Sequence, residues 1–230
     1  MHWSRKEDKL FEKRIHIITG HYGSGKSEIS VNLALSMQNK NIIFADLEII
    51  NPYFRSNEAR SMLEEKGITV ITTSYANTNI DIPALTGDLS RYLLDRSAAI
   101  VMDVGGDDAG AKVVGRYRNE IPENEAAVYF VLNYFRPETR TIEGALASLE
   151  EIRAAGRMKV DYIINNAHLM GDTTEDDILQ GKDFAQQVSR ASGIPIAFHT
   201  VLQATPISGE LQLSEPVFYM DKTMGLNRLL

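Results

Sequence analysis

Residues 15–27 read Ile15-His16-Ile17-Ile18-Thr19-Gly20-His21-Tyr22-Gly23-Ser24-Gly25-Lys26-Ser27. A short apolar, β-branched run passes directly into the spacing G-x-x-x-x-G-K-S. Apolar residues then recur every four positions at Ile29, Leu33 and Met37. A strand, a glycine turn and an amphipathic helix form the setting in which this spacing grips phosphate. Glycines let the backbone fold tightly enough for successive amides to converge on one anion. The following helix adds the partial positive charge of its N-terminus. Lys26 is expected to neutralise the β- and γ-phosphates, and the Ser27 hydroxyl to ligate Mg²⁺. Gly20, Tyr22, Gly23, Ser24, Gly25, Lys26 and Ser27 are therefore the expected contacts to a nucleotide's phosphates.

Beyond this loop the chain alternates short β-rich runs with stretches of helical spacing. Strands are predicted at 15–19, 41–46, 68–73, 99–104, 127–133, 160–165 and 194–201. Several are apolar throughout, such as Ile42-Ile43-Phe44 and Val128-Tyr129-Phe130-Val131-Leu132. Such runs suit strands covered on both faces, hence a parallel sheet between helix layers. Helices are predicted at 55–66, 81–94, 109–119, 138–155 and 175–191. Gly156 stands where a C-cap glycine belongs, and Thr174-x-x-Asp177 has capping-box spacing. The expectation is a doubly wound α/β fold of about seven mostly parallel strands, with its ligand at their carboxyl ends. Residues 1–14 read as an N-terminal extension and 15–230 as a single domain, with Trp3, Leu10 and Phe11 packing on its body.

Composition narrows the function classes. The chain has 230 residues, 43% hydrophobic and 24% charged, an ordinary globular balance. There is no cysteine, which excludes thiolate catalysis, disulfide frameworks and cysteine-held metal centres. A formal net charge of -7 disfavours coating nucleic acid or anionic lipid. No apolar run is long enough to span a bilayer. The opening MHWSRKEDKLFEKR lacks the apolar stretch of a secretory signal and mixes both charge signs. A cytoplasmic location is expected.

Two predicted strands end in acids. Ile42-Ile43-Phe44-Ala45 leads to Asp46, with Glu48 two positions on. Both would point to the same side of an extended chain, where they would face Mg²⁺ and an attacking water. Ile100-Val101-Met102 leads to Asp103, the Walker B form of a residue that holds Mg²⁺, often through water. Gly105-Gly106 beside it would let the backbone approach a γ-phosphate and swing when it leaves.

Taken together these stretches resemble the MinD, ParA and CobQ-type proteins, the SIMIBI branch of P-loop NTPases. More narrowly GHYGSGKSE (20–28), DLEIINPYFRS (46–56), DVGGDDAGA (103–111) and NNAHLMGDTT (165–174) look like a group of bacterial and archaeal MinD-like ATP-binding proteins. The resemblance covers about residues 15–206. It implies ATP and Mg²⁺, a nucleotide-driven switch and a protein partner, and it leaves a homodimer open. It places Asp46 and Glu48 in switch I and Asp103–Asp107 in Walker B and switch II. Asn165 becomes the reader of adenine, with Asn166 the neighbouring alternative, and Val201–Pro206 flank the base. Many relatives carry a second lysine, acting across a dimer, where this chain has His21. The C-terminal KTMGLNRLL is too short and too weakly basic for the membrane anchor of MinD.

The leading expectation is thus an ATPase switch. Lys26, Asp46, Glu48 and Asp103 form the catalytic set. Ser27, Asp46 and Asp103 form the metal set. Two alternatives share the same loop. One is an ATP-dependent ligase or kinase acting on a small carboxylate, with Tyr53–Arg60 offering a second pocket. The other is a module that holds ATP without turnover. The five histidines form no metal pattern. Lys112, Arg116 and Arg118 read as a solvated helix face rather than a nucleic-acid patch.

Overall fold

The computed structural model describes residues 12–37, 41–47, 57–72, 83–106, 108–209 and 211–223. Eight strands pair in parallel: β1 (Ile15–Thr19), β2 (Asn41–Leu47), β3 (Thr69–Thr72), β4 (Ala98–Val104), β5 (Ala126–Leu132), β6 (Tyr162–Asn165), β7 (Ile196–Leu202) and β8 (Val217–Met220). Their order is β3-β2-β4-β1-β5-β6-β7-β8. The expected count of seven is corrected to eight. Val217-Phe218-Tyr219-Met220 is short and follows a Pro-containing stretch, so its pattern alone is no stronger than a loop's. It becomes a strand because β7 offers it a free edge, where Phe218 and Met220 are buried and Tyr219 faces out.

The helices are α1 (Lys26–Ser36), α2 (Asn57–Glu65), α3 (Pro83–Leu94), α4 (Asp108–Arg116), α5 (Ile142–Gly156) and α6 (Glu175–Ser192). α1 and α2 cover one face, where Ile29, Leu33 and Leu63 pack with Ile18, Phe44, Val101 and Val131. α3 to α6 cover the other, where Leu89, Val114, Leu149 and Val188 pack with Ile17, Ile43, Met102 and Phe130. Every residue of β1, β4 and β5 is buried, as two covered faces require. Each such Ile, Leu or Phe contributes about 1.5–3 kcal/mol by leaving water.

The layers follow from right-handed crossovers. From β1 the chain moves one way along the sheet, through α1 and α2. From β4 onward it moves the other way, through α4, α5 and α6. The direction reverses between neighbours β1 and β4, so a crevice opens at their carboxyl ends.

Helix ends are largely as the sequence predicts. Thr174 and Asp177 form the capping box of α6, and Gly193 ends it in the left-handed region. Gly156 is corrected. It is the last residue of α5, and Arg157, with φ 51°, takes the cap position. A Cβ on Gly156 would meet Met158 and the Ala111 carbonyl at ordinary contact distances of 3.5 and 3.7 Å.

Candidate functional site

The crevice between β1 and β4 is lined by two turns that touch. Gly20, with φ 148°, leaves β1 so close to β5 that a Cβ would lie 2.5 Å from the Val131 carbonyl oxygen. Gly25, with φ 94°, is the N-cap of α1. Having no side chain, it leaves the first-turn amides of α1 for another acceptor. α5 and α6 differ, since Thr141 and Thr174 cap them.

Lys26 is 5% exposed. Its ammonium folds back over the loop and donates to the His21 carbonyl at 3.0 Å. Gly106, after β4, lies against the same group. A Cβ on Gly106 would fall 2.5 Å from the Gly20 carbonyl oxygen, 2.6 Å from the Tyr22 nitrogen and 2.7 Å from Lys26 Nζ. The Walker B turn therefore rests directly on the phosphate loop. Tyr22, 59% exposed, sits at its outer edge.

The expected acids meet here. Asp46 and Asp103 are register partners on adjacent strands. Each alternates with residues of the opposite core, so both face α1. Asp46 is 7% and Asp103 1% exposed, and Ser30 Oγ, which donates to the Lys26 carbonyl at 2.8 Å, lies 3.4 Å from Asp103 Oδ1. Ser27 lies in the first turn of α1 above them. Two carboxylates and a hydroxyl are hard oxygen donors of the kind Mg²⁺ takes, completed by waters and phosphate. Among the described residues no three acidic or histidine side chains group as a closed metal cage. Glu48 and Asp107 lie outside the described residues, as do Asn51–Ser56 and the terminal segments.

Asn165 and Asn166 end β6 with different partners. Asn166 Nδ2 donates to the Ser24 carbonyl at 2.6 Å, and its Oδ1 accepts from Thr200 at 2.5 Å. It braces the phosphate loop against β7. This contact needs Gly25, because a Cβ there would lie 2.1 Å from Asn166 Nδ2. Asn165 Nδ2 donates to His199 Nδ1 at 2.9 Å, and His199 Nε2 donates to Glu215 at 3.1 Å. The chain of donors fixes the Asn165 amide with Oδ1 as a buried acceptor that has no hydrogen-bond partner. Burial holds His199 below the ordinary histidine range, with Glu215 offsetting part of the effect. The segment after β8 clasps α1, with Asn32 exchanging two hydrogen bonds with Asp221 and Glu28 accepting from Thr223.

The turn after β5 also reaches the loop, and no motif flags it. The Arg136 guanidinium lies beside Gly23. His21 Nδ1 lies 3.8 Å from Glu138. The only sequence signal for either residue is a position just past the carboxyl end of a strand.

The fold is shared with solved structures of FtsY. Among solved structures, the cell division protein FtsY from Thermotoga maritima is 21% identical with a TM-score of 0.54, covering 81% of this chain and 60% of that one. The signal recognition particle receptor FtsY from Elizabethkingia anophelis, in complex with GDP, is 14% identical with a TM-score of 0.51, covering 87% and 59%. FtsY from Mycoplasma mycoides is 16% identical with a TM-score of 0.53, covering 89% and 66%. The chain thus spans about three-fifths to two-thirds of these proteins' length. No protein-family model and no curated protein matches the chain. Among the described residues no helix is long and apolar enough to cross a membrane.

Proposed function

We propose that the protein is an ATP-binding, Mg²⁺-dependent NTPase of the MinD and ParA kind, working as a nucleotide-driven switch on a protein partner. The observation that carries this reading is the buried Lys26 ammonium folded over a glycine loop at the fold's switch point. Nothing but a polyanion suits a ring of amides with a desolvated cation across it. The triphosphate would displace the His21 carbonyl as the acceptor of Lys26 Nζ. Lys26 would then stabilise charge on the transferred phosphoryl group. Ser27, Asp46 and Asp103 would hold Mg²⁺, which supplies further neutralisation of that charge. Asp46, with Glu48 as the alternative, would orient the attacking water. Gly106 touches both Gly20 and Lys26, so a γ-phosphate arriving there must move the Walker B turn, and its loss lets the turn return. That coupling is the proposed switch.

Adenine is favoured by chemistry at the end of β6. Guanine presents two adjacent donors, which a carboxylate satisfies, whereas the adenine amino group needs a single acceptor. Asn165-Asn166-Ala167-His168 contains no carboxylate, and Asn165 Oδ1 is a lone buried acceptor. The likeness to FtsY, crystallised with GDP in one case, favours GTP as the second reading. Calorimetric titration with ATP and GTP separates them. ATP is expected to bind at least about 10-fold tighter, and Lys26→Ala to weaken it at least about 100-fold. Equal ATP affinity in wild type and Lys26→Ala would overturn the assignment.

A further inference from the structure

Arg136 carries a guanidinium whose Nε is shielded from solvent and has no hydrogen-bond partner among the described residues. Among the described residues no carboxylate lies within 4.0 Å of it. A guanidinium partly removed from water without a counter-charge is unfavourable, and proteins keep such groups where an anion comes and goes.

The place is specific. A Cβ on Gly23 would fall 3.5 Å from Arg136 Nε, 3.7 Å from Cζ and 3.8 Å from Cδ. The guanidinium therefore lies along the loop, beside one of the glycines whose amides converge on phosphate. Its backbone is held firmly. Asn133 O accepts from Arg136 N at 3.2 Å and from Thr139 Oγ1 at 2.7 Å, Asn133 Oδ1 accepts from Phe135 N at 3.0 Å, and Pro137 opens a short 3-10 turn. The surroundings are electropositive. His168 is held below its ordinary value first by burial, then by Arg136 and Lys222. Lys222, like Arg136, has no acidic partner among the described residues. Glu138, two residues on in the same turn, faces His21.

We infer that Arg136 is the second phosphate-binding cation of the loop, supplied from the same chain, closing on the nucleotide polyphosphate from the Gly23 side while Lys26 holds it from the other. The inference rests on the nucleotide reading above. Arg136 is a forked donor, so it bonds two phosphate oxygens at once. It removes the need for a cation from a second subunit. A monomer then holds the triphosphate with two cations.

The test is calorimetric titration of ATP into wild type, Arg136→Met, Arg136→Lys and Lys26→Ala, with nucleotide-free melting temperatures beside it. Arg136→Met is expected to weaken ATP at least about 10-fold, and Arg136→Lys to recover only part of that loss, because an ammonium cannot fork across two oxygens. Melting of the empty protein should stay level or rise in Arg136→Met, because an uncompensated charge is removed. A purely structural arginine would instead lower melting and leave affinity level. ATP bound by Arg136→Met within about 2-fold of wild type, with Lys26→Ala inactive in binding, overturns the role of Arg136 and spares the nucleotide reading. Wild type that binds neither ATP nor GTP overturns the nucleotide reading itself.

Discussion

Gly106 and Gly20 show how single hydrogens position a site. A methyl on Gly106 would strike two backbone atoms, the Gly20 carbonyl oxygen and the Tyr22 nitrogen. Backbone cannot rotate aside as a side chain does, so the Walker B turn must lift off the phosphate loop. Gly106→Ala is expected to fold and to bind ATP, and to lose about 10- to 100-fold in turnover, since a displacement near 1 Å costs that much. Steady-state phosphate release checks it. Gly20→Ala belongs with fold stability instead. Its Cβ would meet the Val131 carbonyl, within β5, at an unfavourable φ. A loss of about 2–3 kcal/mol is expected in urea unfolding. Asn165 and Asn166 make the complementary point. Adjacent and chemically identical, they differ only in partners. One braces the loop, and the other holds a buried carbonyl oxygen with no hydrogen-bond partner.

Among elements, α1 is clamped from three sides. Asn166 ties the loop before it to the end of β6 and to Thr200 of β7. Ser30 ties it to β4 through Asp103. Asn32 and Glu28 tie it to the segment after β8. The helix behind the proposed phosphate site is thus tied down before any ligand arrives, which would lower the ordering cost of binding. Asn166→Ala leaves the Ser24 carbonyl unpaired and costs Thr200 its short bond. About 1–3 kcal/mol of stability should be lost, with weaker ATP binding measured on the same sample. A distant cap provides a contrast. Thr174→Ala removes half of the capping box of α6 and should cost about 1 kcal/mol, or about 2–4 °C of melting temperature. ATP affinity should not change, because the bonds lost lie within the capping box itself.

For the molecule as a whole, pH acts through buried imidazoles before it acts through carboxylates. His199 and His168 are both held below the ordinary histidine value, burial being the larger cause in each. The unfolded chain therefore takes up protons first as pH falls. The stability these groups supply is full above about pH 6.5 and declines as pH drops toward their lower folded values. Asp95, Glu125 and Glu175 are held below ordinary carboxylate values by hydrogen bonds from Ser97, Arg14 and Ser208. Their contribution is present above about pH 4 and is lost below it. Urea midpoints should thus fall in two windows, and a His168→Gln, His199→Gln protein should lose the upper one. Local pattern was enough for much of this protein. Seven strands and every helix lie in the 15–27 rhythm and the apolar runs, because strands covered on both faces must be apolar along their length. The placement of the glycine loop, Lys26, Asp46 and Asp103 at strand ends was legible for a related reason, since strand ends sit at fixed spacings from those runs. β8, the bracing by Asn166 and the placement of Arg136 were not. Each depends on what another segment brings within a few ångströms, such as a vacant edge on β7, the Ser24 carbonyl or the face of Gly23. Proximity between segments separated in sequence has no period along the chain, and only folding creates it.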